Sequence, residues 1–362
     1  MSLAWRWGFP PPPSGRRGKR VAAVVPRRTG AMGCSNPWAG SGVGASGCSH
    51  RPPKHHRGCV HIAAHLQHRR VPARDPYDRV VLEHSSPFVR IIEIFADGGV
   101  AVLTGAGMST ESGIPDYRGP TGLARRGTPM TYQTFIGSDG ARRRYWARSH
   151  LGWRFIADAR PNAGHLAIAE LERGRLLTGL ITQNVDGLHQ AAGSADVTEL
   201  HGSLHRVACL SCGERTSRVE LDERLRAVNP GWAASASAIN PDGDAVLADD
   251  AEAGFVVVDC AGCGGVLKPD VVFFGENVPP ARATACYDLV SRSSALVVLG
   301  SSLMVMSGLR YVRHAAKLGL PVAIVNQGVT RGDSLASVTL DAPLGETLAA
   351  LAATFSVPAH TG

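Results

Sequence analysis

The sequence lacks a long apolar run and, in its first part, lacks acidic residues altogether. No stretch approaches the roughly 18 apolar residues of a membrane span, so we expect no membrane-spanning segment. Residues 1–74 contain 13 Lys and Arg but no Asp or Glu. The remainder carries 25 basic and 30 acidic residues, a net charge of −5 within the overall +8. The basic charge therefore gives no support for a nucleic-acid-binding body.

Residues 1–75 also lack hydrophobic periodicity and are rich in Pro, Gly, Arg and His. This composition predicts a disordered basic tail without a catalytic role. An Arg-rich, acid-free segment is also typical of organellar transit peptides, and a start codon further along would leave the stretch unmade. These interpretations stay open. We expect a cytoplasmic protein, or an organellar-matrix protein if the tail is a transit peptide.

The glycine fingerprint of redox dinucleotide-binding proteins is missing as well. A strand-type run, Val100–Thr104, leads into Gly105 and Gly107, but the next glycine is Gly113. No acidic residue ends a second strand about 20 residues later, where it would hold a ribose. A hydride-transferring dehydrogenase is therefore disfavoured.

Short apolar strands alternate with amphipathic helices through the body of the chain. This alternation predicts an α/β fold with a parallel sheet covered by helices on both faces. The predicted strands cover 100–104, 180–182, 197–200, 296–299 and 321–325. The predicted helices begin at about 86, 142, 163, 307 and 344.

Polar segments, often with glycine, follow five of these strands. Open α/β sheets bind ligands at the carboxyl ends of their strands, and glycine allows the backbone to approach a phosphate closely. Five such ends predict an extended ligand of nucleotide type. The segments are Gly105–Gly107, Gln183–Asp186, His201-Gly202, Gly300–Ser302 and Asn326–Gly328.

His201 is predicted to share this edge with Asn184 and Asp186. A lone histidine is more often structural than catalytic. Beside these two polar residues, a neutral imidazole could act as a general base toward a sugar hydroxyl.

Two CxxC pairs, Cys209 with Cys212 and Cys260 with Cys263, predict a metal site. Two tight knuckles complete a tetrahedral four-thiolate site, which Zn²⁺ favours. Because all four positions are filled, we expect one structural zinc ion. The 47 residues between the pairs are polar and are predicted to be irregular.

Together these motifs resemble the sirtuin family over about residues 80–355. The matching segments are GAGMSTESGIPDYRG at 105–119, TQNVDGLH at 182–189, ELHGS at 199–203, LKPDVVFFGE at 267–276, GSSL at 300–303 and VNQG at 325–328, with the two CxxC pairs. The segments VNPGW at 228–232 and PDGD at 241–244 resemble the class II branch.

The resemblance implies an NAD-dependent protein deacetylase or deacylase. NAD would be consumed as a co-substrate, and the products would be free lysine, nicotinamide and O-acyl-ADP-ribose. The implied fold is a Rossmann-type domain (76–204 and 268–357, with a helical and cofactor-loop insertion at about 114–160) and a zinc-binding domain (205–267). Acylated-lysine proteins are the implied partners, and no oligomeric state follows.

The resemblance also assigns residues. His201 would be the general base, with Asn184 and Asp186 beside it in the catalytic set. The segment Val272, Phe273, Phe274, Gly275 and Glu276 would pair as a strand with the substrate peptide. The NAD-binding set would be Gly105, Ala106, Gly107, Ser109, Thr110, Asp116, Tyr117, Arg118, Gln183, Asn184, Val185, Asp186, Gly300, Ser301, Ser302, Asn326, Gln327, Gly328 and Leu344.

One departure from the family pattern is Met108, which is expected to crowd or reshape the nicotinamide side. Another is the segment after Arg118, which lacks a recognisable Tyr/Arg pair for dicarboxyl-acyl groups. Two alternative functions stay open: a mono-ADP-ribosyltransferase that uses the same NAD site, and a non-enzymatic module in which the zinc ribbon and basic tail bind nucleic acid or acidic partners.

Overall fold

Eleven strands run through the parts of the chain that the computed structural model describes, residues 86–119, 129–248 and 251–356. The predictions for residues 1–75 and for the segment 120–128 lie outside these ranges. The strands are β1 Val100–Thr104, β2 Leu177–Thr182, β3 Val197–Glu199, β4 Gly202–Cys209, β5 Arg215–Ser217, β6 Ala238–Ile239, β7 Ala245–Val246, β8 Leu267–Val271, β9 Ala295–Leu299, β10 Val322–Val325 and β11 Val338–Leu340.

Nine α-helices and two 3₁₀ helices, Ala106–Ser112 and Asp333–Leu335, connect these strands within the described ranges. The α-helices are α1 Pro87–Ala96, α2 Tyr132–Gly137, α3 Asp139–Asp158, α4 Ala163–Arg173, α5 Leu188–Ala191, α6 Arg218–Val228, α7 Pro280–Ser291, α8 Met306–Lys317 and α9 Leu344–Phe355. None of the helices in the described residues is both long and apolar enough to cross a bilayer.

Six strands form one parallel sheet in the order β11-β10-β9-β1-β2-β3. Counted among themselves, these strands have the doubly wound order 3-2-1-4-5-6. The order reverses between β1 and β9, so the loops that leave these two strands diverge and open a crevice at the carboxyl edge. The α/β prediction is confirmed.

Helices cover both faces of this sheet. Because side chains alternate along a strand, Val100 and Val102 face one core and Ala101 and Leu103 face the other. Helices α1, α4 and α9 pack on the first face, and α7 and α8 pack on the second. All five residues of β1 are buried, as expected for a central parallel strand.

A smaller antiparallel sheet, in the order β5-β4-β8, carries the two cysteine knuckles. Its core is continuous with α3, where Trp146 packs with Val207 and Leu225. The segment between the cysteine pairs, predicted to be irregular, contains the 11-residue helix α6. Helix α6 lacks an apolar stripe because Arg218 and Asp222 occupy its buried face, which explains the wrong prediction.

The predicted elements of the main sheet agree closely with the observed ones. Helix α1 begins at Pro87 with Ser86 as its N-cap, and α4 covers Ala163–Arg173 as predicted. Helix α8 begins one residue earlier than predicted, at Met306. Strand β11 and helix α7 were not predicted.

Candidate functional site

Two glycine-rich loops meet in the crevice between β1 and β9. A Cβ on Gly105 would lie 2.8 Å from the carbonyl oxygen of Gly300, and one on Gly107 would lie 2.9 Å from the Gly300 Cα. Gly300 has a φ of 62°, and a Cβ there would lie 2.6 Å from the backbone nitrogen of Met108. Only glycine fits this approach, which forms a backbone cradle of the kind that binds a phosphate.

The segment that follows β2 closes one side of the cradle through a chain of hydrogen bonds. Asn184 Nδ2 donates to Gly105 O and to Ser109 Oγ, both at 3.0 Å. The Ser109 hydroxyl then donates to Asp186 Oδ2 at 2.7 Å. Asp186 is buried, and burial raises the pKa of its carboxyl group. Gln183 Nε2 donates to Ser301 Oγ at 2.8 Å and so joins this segment to the β9 loop.

His201 lies between β3 and β4 with both ring nitrogens engaged. Its Nδ1 is 2.9 Å from Gln183 O, and its Nε2 is 2.8 Å from Ser307 Oγ. A carbonyl oxygen can only accept, so Nδ1 carries the proton and Nε2 presents a lone pair. Burial lowers the pKa of His201 to about 4, so the ring is neutral at pH 7.

A single cavity of about 770 Å³ brings together every residue predicted to bind NAD or the peptide. These residues were selected from segments up to 239 positions apart, and their contacts with a ligand stay a prediction. The cavity is lined by Gly105, Ala106, Gly107, Ser109, Thr110, Asp116, Tyr117, Arg118, Gln183, Asn184, Val185, Asp186, His201, Val272, Phe273, Phe274, Gly275, Glu276, Gly300, Ser301, Ser302, Asn326, Gln327, Gly328 and Leu344.

The predicted peptide-binding segment, Val272–Glu276, is not a strand in this structure. Strand β8 ends at Val271, and Phe274 makes an isolated parallel bridge to Thr131. Phe273 N and Lys268 Nζ both donate to Glu276 Oε2, which closes the segment into a turn. The Phe273 amide is therefore hydrogen-bonded within the segment itself and does not pair with another strand.

Several lining residues were not predicted. Ser307 and Arg310 come from the first turns of α8, and Tyr145 comes from α3. Asp242 comes from the β6–β7 hairpin, between the two cysteine pairs. Helical spacing places Ser307 and Arg310 on one face of α8, but nothing in the sequence shows that this face meets His201.

The prediction that Met108 crowds the ligand side is wrong. Its side chain is 1% exposed and belongs to the core beneath the cradle. A Cβ on Gly164 of α4 would lie 3.1 Å from Met108 Cε. The long side chain is accommodated because α4 has a glycine there, so Met108 packs away from the cavity.

The four cysteines of the two knuckles converge. Their sulfur atoms all lie within 4.8 Å of one another, with Cys209 Sγ 3.5 Å from Cys263 Sγ and Cys212 Sγ 3.9 Å from Cys260 Sγ. Four thiolates at about 2.3 Å from a tetrahedral zinc ion lie about 3.8 Å apart. The donor set and its spacing therefore fit one structural zinc ion.

The fold and the cavity define an α/β protein with a nucleotide-type crevice and a four-cysteine module. The sequence model of the Sir2 family matches residues 105–307. The chain is 64% identical over 255 residues to "NAD-dependent protein deacetylase 1" of Streptomyces coelicolor, an alignment that covers 70% of this chain and 85% of that one. The chain belongs to the Sir2 family, the sirtuins.

Solved structures give the same fold. One, described as "Structural Basis for the Mechanism and Regulation of Sir2 Enzymes", is 34% identical with a TM-score of 0.59, and covers 74% of this chain and 97% of its own. Another is described as Sir2 in complex with EX-527, 2′-O-acetyl-ADP-ribose and deacetylated p53 peptide. It is 27% identical with a TM-score of 0.57, covering 74% and 98%. The predicted family membership is confirmed, and the class II assignment stays a prediction.

Proposed function

We propose that the protein removes acetyl groups from protein lysine side chains in a reaction that consumes NAD. The Streptomyces coelicolor relative carries this activity in its name, and a related Sir2 structure holds a deacetylated peptide with acetyl-ADP-ribose. The product pair of that complex is what acetyl transfer from lysine to ADP-ribose would leave behind. Acetylated-lysine proteins are therefore the proposed partners.

The observation that carries the proposal is the state of His201. Its Nε2 lone pair lies in the same cavity as the glycine cradle, and its pKa of about 4 leaves it unprotonated at pH 7. A neutral imidazole at that place can take a proton from a ribose hydroxyl. The Nδ1–H bond to Gln183 O holds the required tautomer through that transfer.

The cradle fits the diphosphate of NAD because its glycines have no Cβ atoms, so the two loops pack closely and leave backbone N–H groups accessible to a phosphate. When bound, NAD supplies the ribose carbon from which nicotinamide departs. Gly105, Gly107 and Gly300 would hold the diphosphate. Asn326 and Gln327 would hold the adenosine half, at the end of β10 beside Leu344.

Asn184, Ser109 and Asp186 would shape the nicotinamide and ribose end of the cavity. Their hydrogen bonds run in one direction, from the Asn184 amide through the Ser109 hydroxyl to the Asp186 carboxylate. This order fixes the Asn184 side chain with its Oδ1 free to contact a ligand. Bound NAD and substrate would fill the cavity and limit access of water, which would otherwise hydrolyse NAD.

The zinc-binding module, at about residues 205–267, would act structurally. Four thiolate ligands leave no position for a reacting water. Its β6–β7 hairpin brings Asp242 to the cavity, so the module would form one wall of the site. The turn Val272–Glu276 would open to pair with the substrate backbone, and Tyr117, whose ring lies 6.0 Å from that of Phe274, would move with it.

The test is release of nicotinamide from NAD that depends on an acetyl-lysine peptide. His201→Ala should abolish release over multiple turnovers and the formation of deacetylated peptide, while leaving the affinity for NAD, measured by calorimetry, within a fewfold of the wild type. No peptide-dependent release from the wild-type protein, with acetyl or any longer acyl chain, would refute the proposal. Transfer of labelled ADP-ribose to a protein, with the acyl-lysine intact, would indicate a mono-ADP-ribosyltransferase instead.

A further inference from the structure

Two buried histidines lie side by side beneath the strand ends that form the cavity. His165 belongs to α4 and His189 to α5, and their exposed fractions are 0% and 1%. Their ring centres are 4.8 Å apart with an angle of 60° between the planes. Neither histidine lines the cavity, and the proposed mechanism does not use them.

The hydrogen bonds of His165 determine its tautomer. The backbone N–H of Asn162 donates to His165 Nδ1 at 3.4 Å, so this nitrogen is the acceptor and Nε2 carries the hydrogen. Asn162 Oδ1 accepts from His165 N at 3.2 Å, which completes a capping box at the start of α4. The same Asn162 side chain donates through Nδ2 to Met108 O at 2.8 Å, in the 3₁₀ helix of the cradle.

The hydrogen bonds of His189 determine its tautomer in the same way. The Thr104 hydroxyl donates to Thr182 Oγ1 at 2.9 Å, which uses its only hydrogen. His189 Nε2, 3.0 Å from Thr104 Oγ1, must therefore be the donor, and Nδ1 keeps a lone pair. Thr182 Oγ1 also accepts from the backbone N–H of Asn184 at 3.1 Å, so this chain ends at the cavity wall.

One donor and one acceptor are left over. His165 Nε2 and His189 Nδ1 are buried and have no hydrogen-bond partner among the described residues. Buried polar atoms are nearly always paired. An N–H···N bond of about 2.9 Å between two imidazoles places the ring centres about 5 Å apart, close to the observed 4.8 Å.

Both rings are suited to this role because they stay neutral. Burial lowers the pKa of His165 to about 4 and also lowers the pKa of His189. An imidazolium at either position would replace an acceptor with a second donor and break the sequence of bonds.

We propose that His165 and His189 are positioning residues, and that a small rotation of the two rings, whose facing nitrogens have no partner in the described part of this structure, joins His165 Nε2–H to His189 Nδ1. The resulting chain connects Met108 in the cradle, through Asn162 and the two rings, to Thr104, Thr182 and the amide of Asn184. It ties the β1 loop to the β2 loop from below, so the two walls of the cavity keep a fixed separation. Its consequence for catalysis rests on the proposed function, whereas the tautomers do not.

The tautomers are tested directly by long-range ¹H–¹⁵N spectra of the full chain labelled at histidine, at pH 7. The expected pattern for both rings is a protonated Nε2 and an unprotonated Nδ1. His165→Asn and His189→Gln assign the signals by difference. A His189 ring protonated at Nδ1, or a cationic ring at either position, would overturn the proposal whether or not the protein deacetylates lysine.

The kinetic test uses variants that separate the two functions of each ring. His165→Asn keeps an acceptor for the Asn162 amide but has no donor that reaches His189, and His189→Gln keeps a donor near Thr104. We expect each to lower kcat about tenfold with a small change in the KM for NAD, since small displacements at a reacting centre reduce rates strongly. His314→Asn, a half-buried control on α8 outside the cavity, should leave kcat unchanged.

The double variant separates a joined pair from two independent residues. If the rings form one chain, His165→Asn combined with His189→Gln should reduce kcat no more than the worse single variant. A loss equal to the product of the two single losses, or a kcat unchanged in the single variants, would contradict the proposal. Circular dichroism and thermal melting confirm that each variant is folded before its rate is interpreted.

Discussion

The hydroxyl of Ser307 lies 2.8 Å from His201 Nε2, on the atom that the proposed mechanism uses as its base. Because Gln183 O fixes the hydrogen on Nδ1, the Ser307 hydroxyl donates to the Nε2 lone pair. Ser307 comes from the first turn of α8, so the helix that follows β9 supplies a partner to a histidine that follows β3. Ser307 therefore stabilises the neutral, base-competent form of the ring.

Ser307→Ala is expected to move the acidic limb of the pH profile of kcat/KM to higher pH. Burial lowers the pKa of His201 to about 4, and the hydrogen bond that Nε2 accepts from Ser307 further favours the neutral ring, so loss of the hydroxyl should raise that pKa. One hydrogen bond of about 1 kcal/mol corresponds to a change of roughly 0.7 in the pKa, so the acidic limb should move by roughly 0.7 pH units. The profile is measured from pH 4.5 to 8 with an acetyl-lysine peptide.

Ser307→Thr is the matched variant, because it keeps the hydroxyl and should restore the wild-type profile. Ser291→Ala, an exposed site on α7, controls for loss of a serine elsewhere. An acidic limb that stays in place in Ser307→Ala would show that the hydroxyl does not bear on the protonation of His201.

Gly300→Ala is expected to weaken NAD binding at least tenfold. A Cβ there would lie 2.6 Å from Met108 N and 2.7 Å from Leu344 Cδ1, so the β9 loop would be pushed out of the cradle. Its φ of 62° adds roughly 1–2 kcal/mol of backbone strain. Calorimetric titration with NAD gives the affinity, and thermal melting gives the stability.

Gly319→Ala separates the steric clash of the added Cβ from the backbone strain of a positive φ. Gly319 has a φ of 72° in the turn after α8, but a Cβ there would meet nothing within 4 Å. This control should have a similar backbone strain and therefore a lower melting temperature, but its affinity for NAD should be unchanged. Equal losses of affinity in the two variants would show that the cradle is not the binding element.

The main sheet was predictable because its strands and helices have simple local sequence signals. Val100–Thr104 is an uninterrupted run of strand type and forms a buried central strand, and Ser86 with Pro87 gives a recognisable helix start. Helix α6 was not predictable from the sequence. Its buried face carries Arg218 and Asp222, and their burial depends on residues far away in the sequence.

The site shows the same division. The glycines and His201 stand in motifs, so they could be selected from the sequence, but the contacts of Ser307 and the pairing of His165 with His189 come from packing between separate elements. The expectation that Val272–Glu276 pairs as a strand with the substrate peptide came from the resemblance to the sirtuins and stays a prediction, whereas without a peptide the segment is a turn. The bond from Phe273 N to Glu276 Oε2 decides its conformation, and sequence periodicity does not report such bonds.

Removal of zinc is expected to unfold the cysteine module and abolish deacetylation. The four sulfur atoms lie within 4.8 Å of one another, and without an ion four thiolates at that spacing repel. Cys212→Ser should reduce bound zinc from about one ion per chain to nearly none and lower the melting temperature. Zinc content is measured by atomic absorption, and the fold by circular dichroism.

Adding zinc back after chelation is the control for this experiment. The wild-type protein should recover both its melting temperature and its activity, whereas Cys212→Ser should recover neither. A zinc-free wild-type protein that keeps its full melting temperature would contradict the structural role.

Asp222→Asn is expected to lower the free energy of unfolding by about 3–5 kcal/mol at pH 7, because it leaves a buried arginine without its counter-charge. Asp222 Oδ1 lies 2.7 Å from His150 Nδ1 and 3.7 Å from the Arg218 guanidinium, and Oδ2 accepts from Arg226. Arg218 is 1% exposed, with its guanidinium 5.6 Å from the ring centre of Trp146. The network therefore fastens α6 of the cysteine module to α3 beside the cavity.

The pH dependence of that loss identifies the carboxylate as its source. Burial alone would raise the pKa of Asp222, but hydrogen bonds from His150 and Arg226 outweigh it and lower the pKa to about 2. The stabilisation is therefore complete above the unfolded pKa of about 3.9 and disappears as the pH falls through 2. Urea unfolding from pH 7 to pH 2.5 should show wild type and Asp222→Asn converging only below about pH 4, while Asp288→Asn, exposed on α7, should match the wild type throughout. A difference that stays constant to pH 2.5 would mean that the carboxylate charge is not what holds the two helices together.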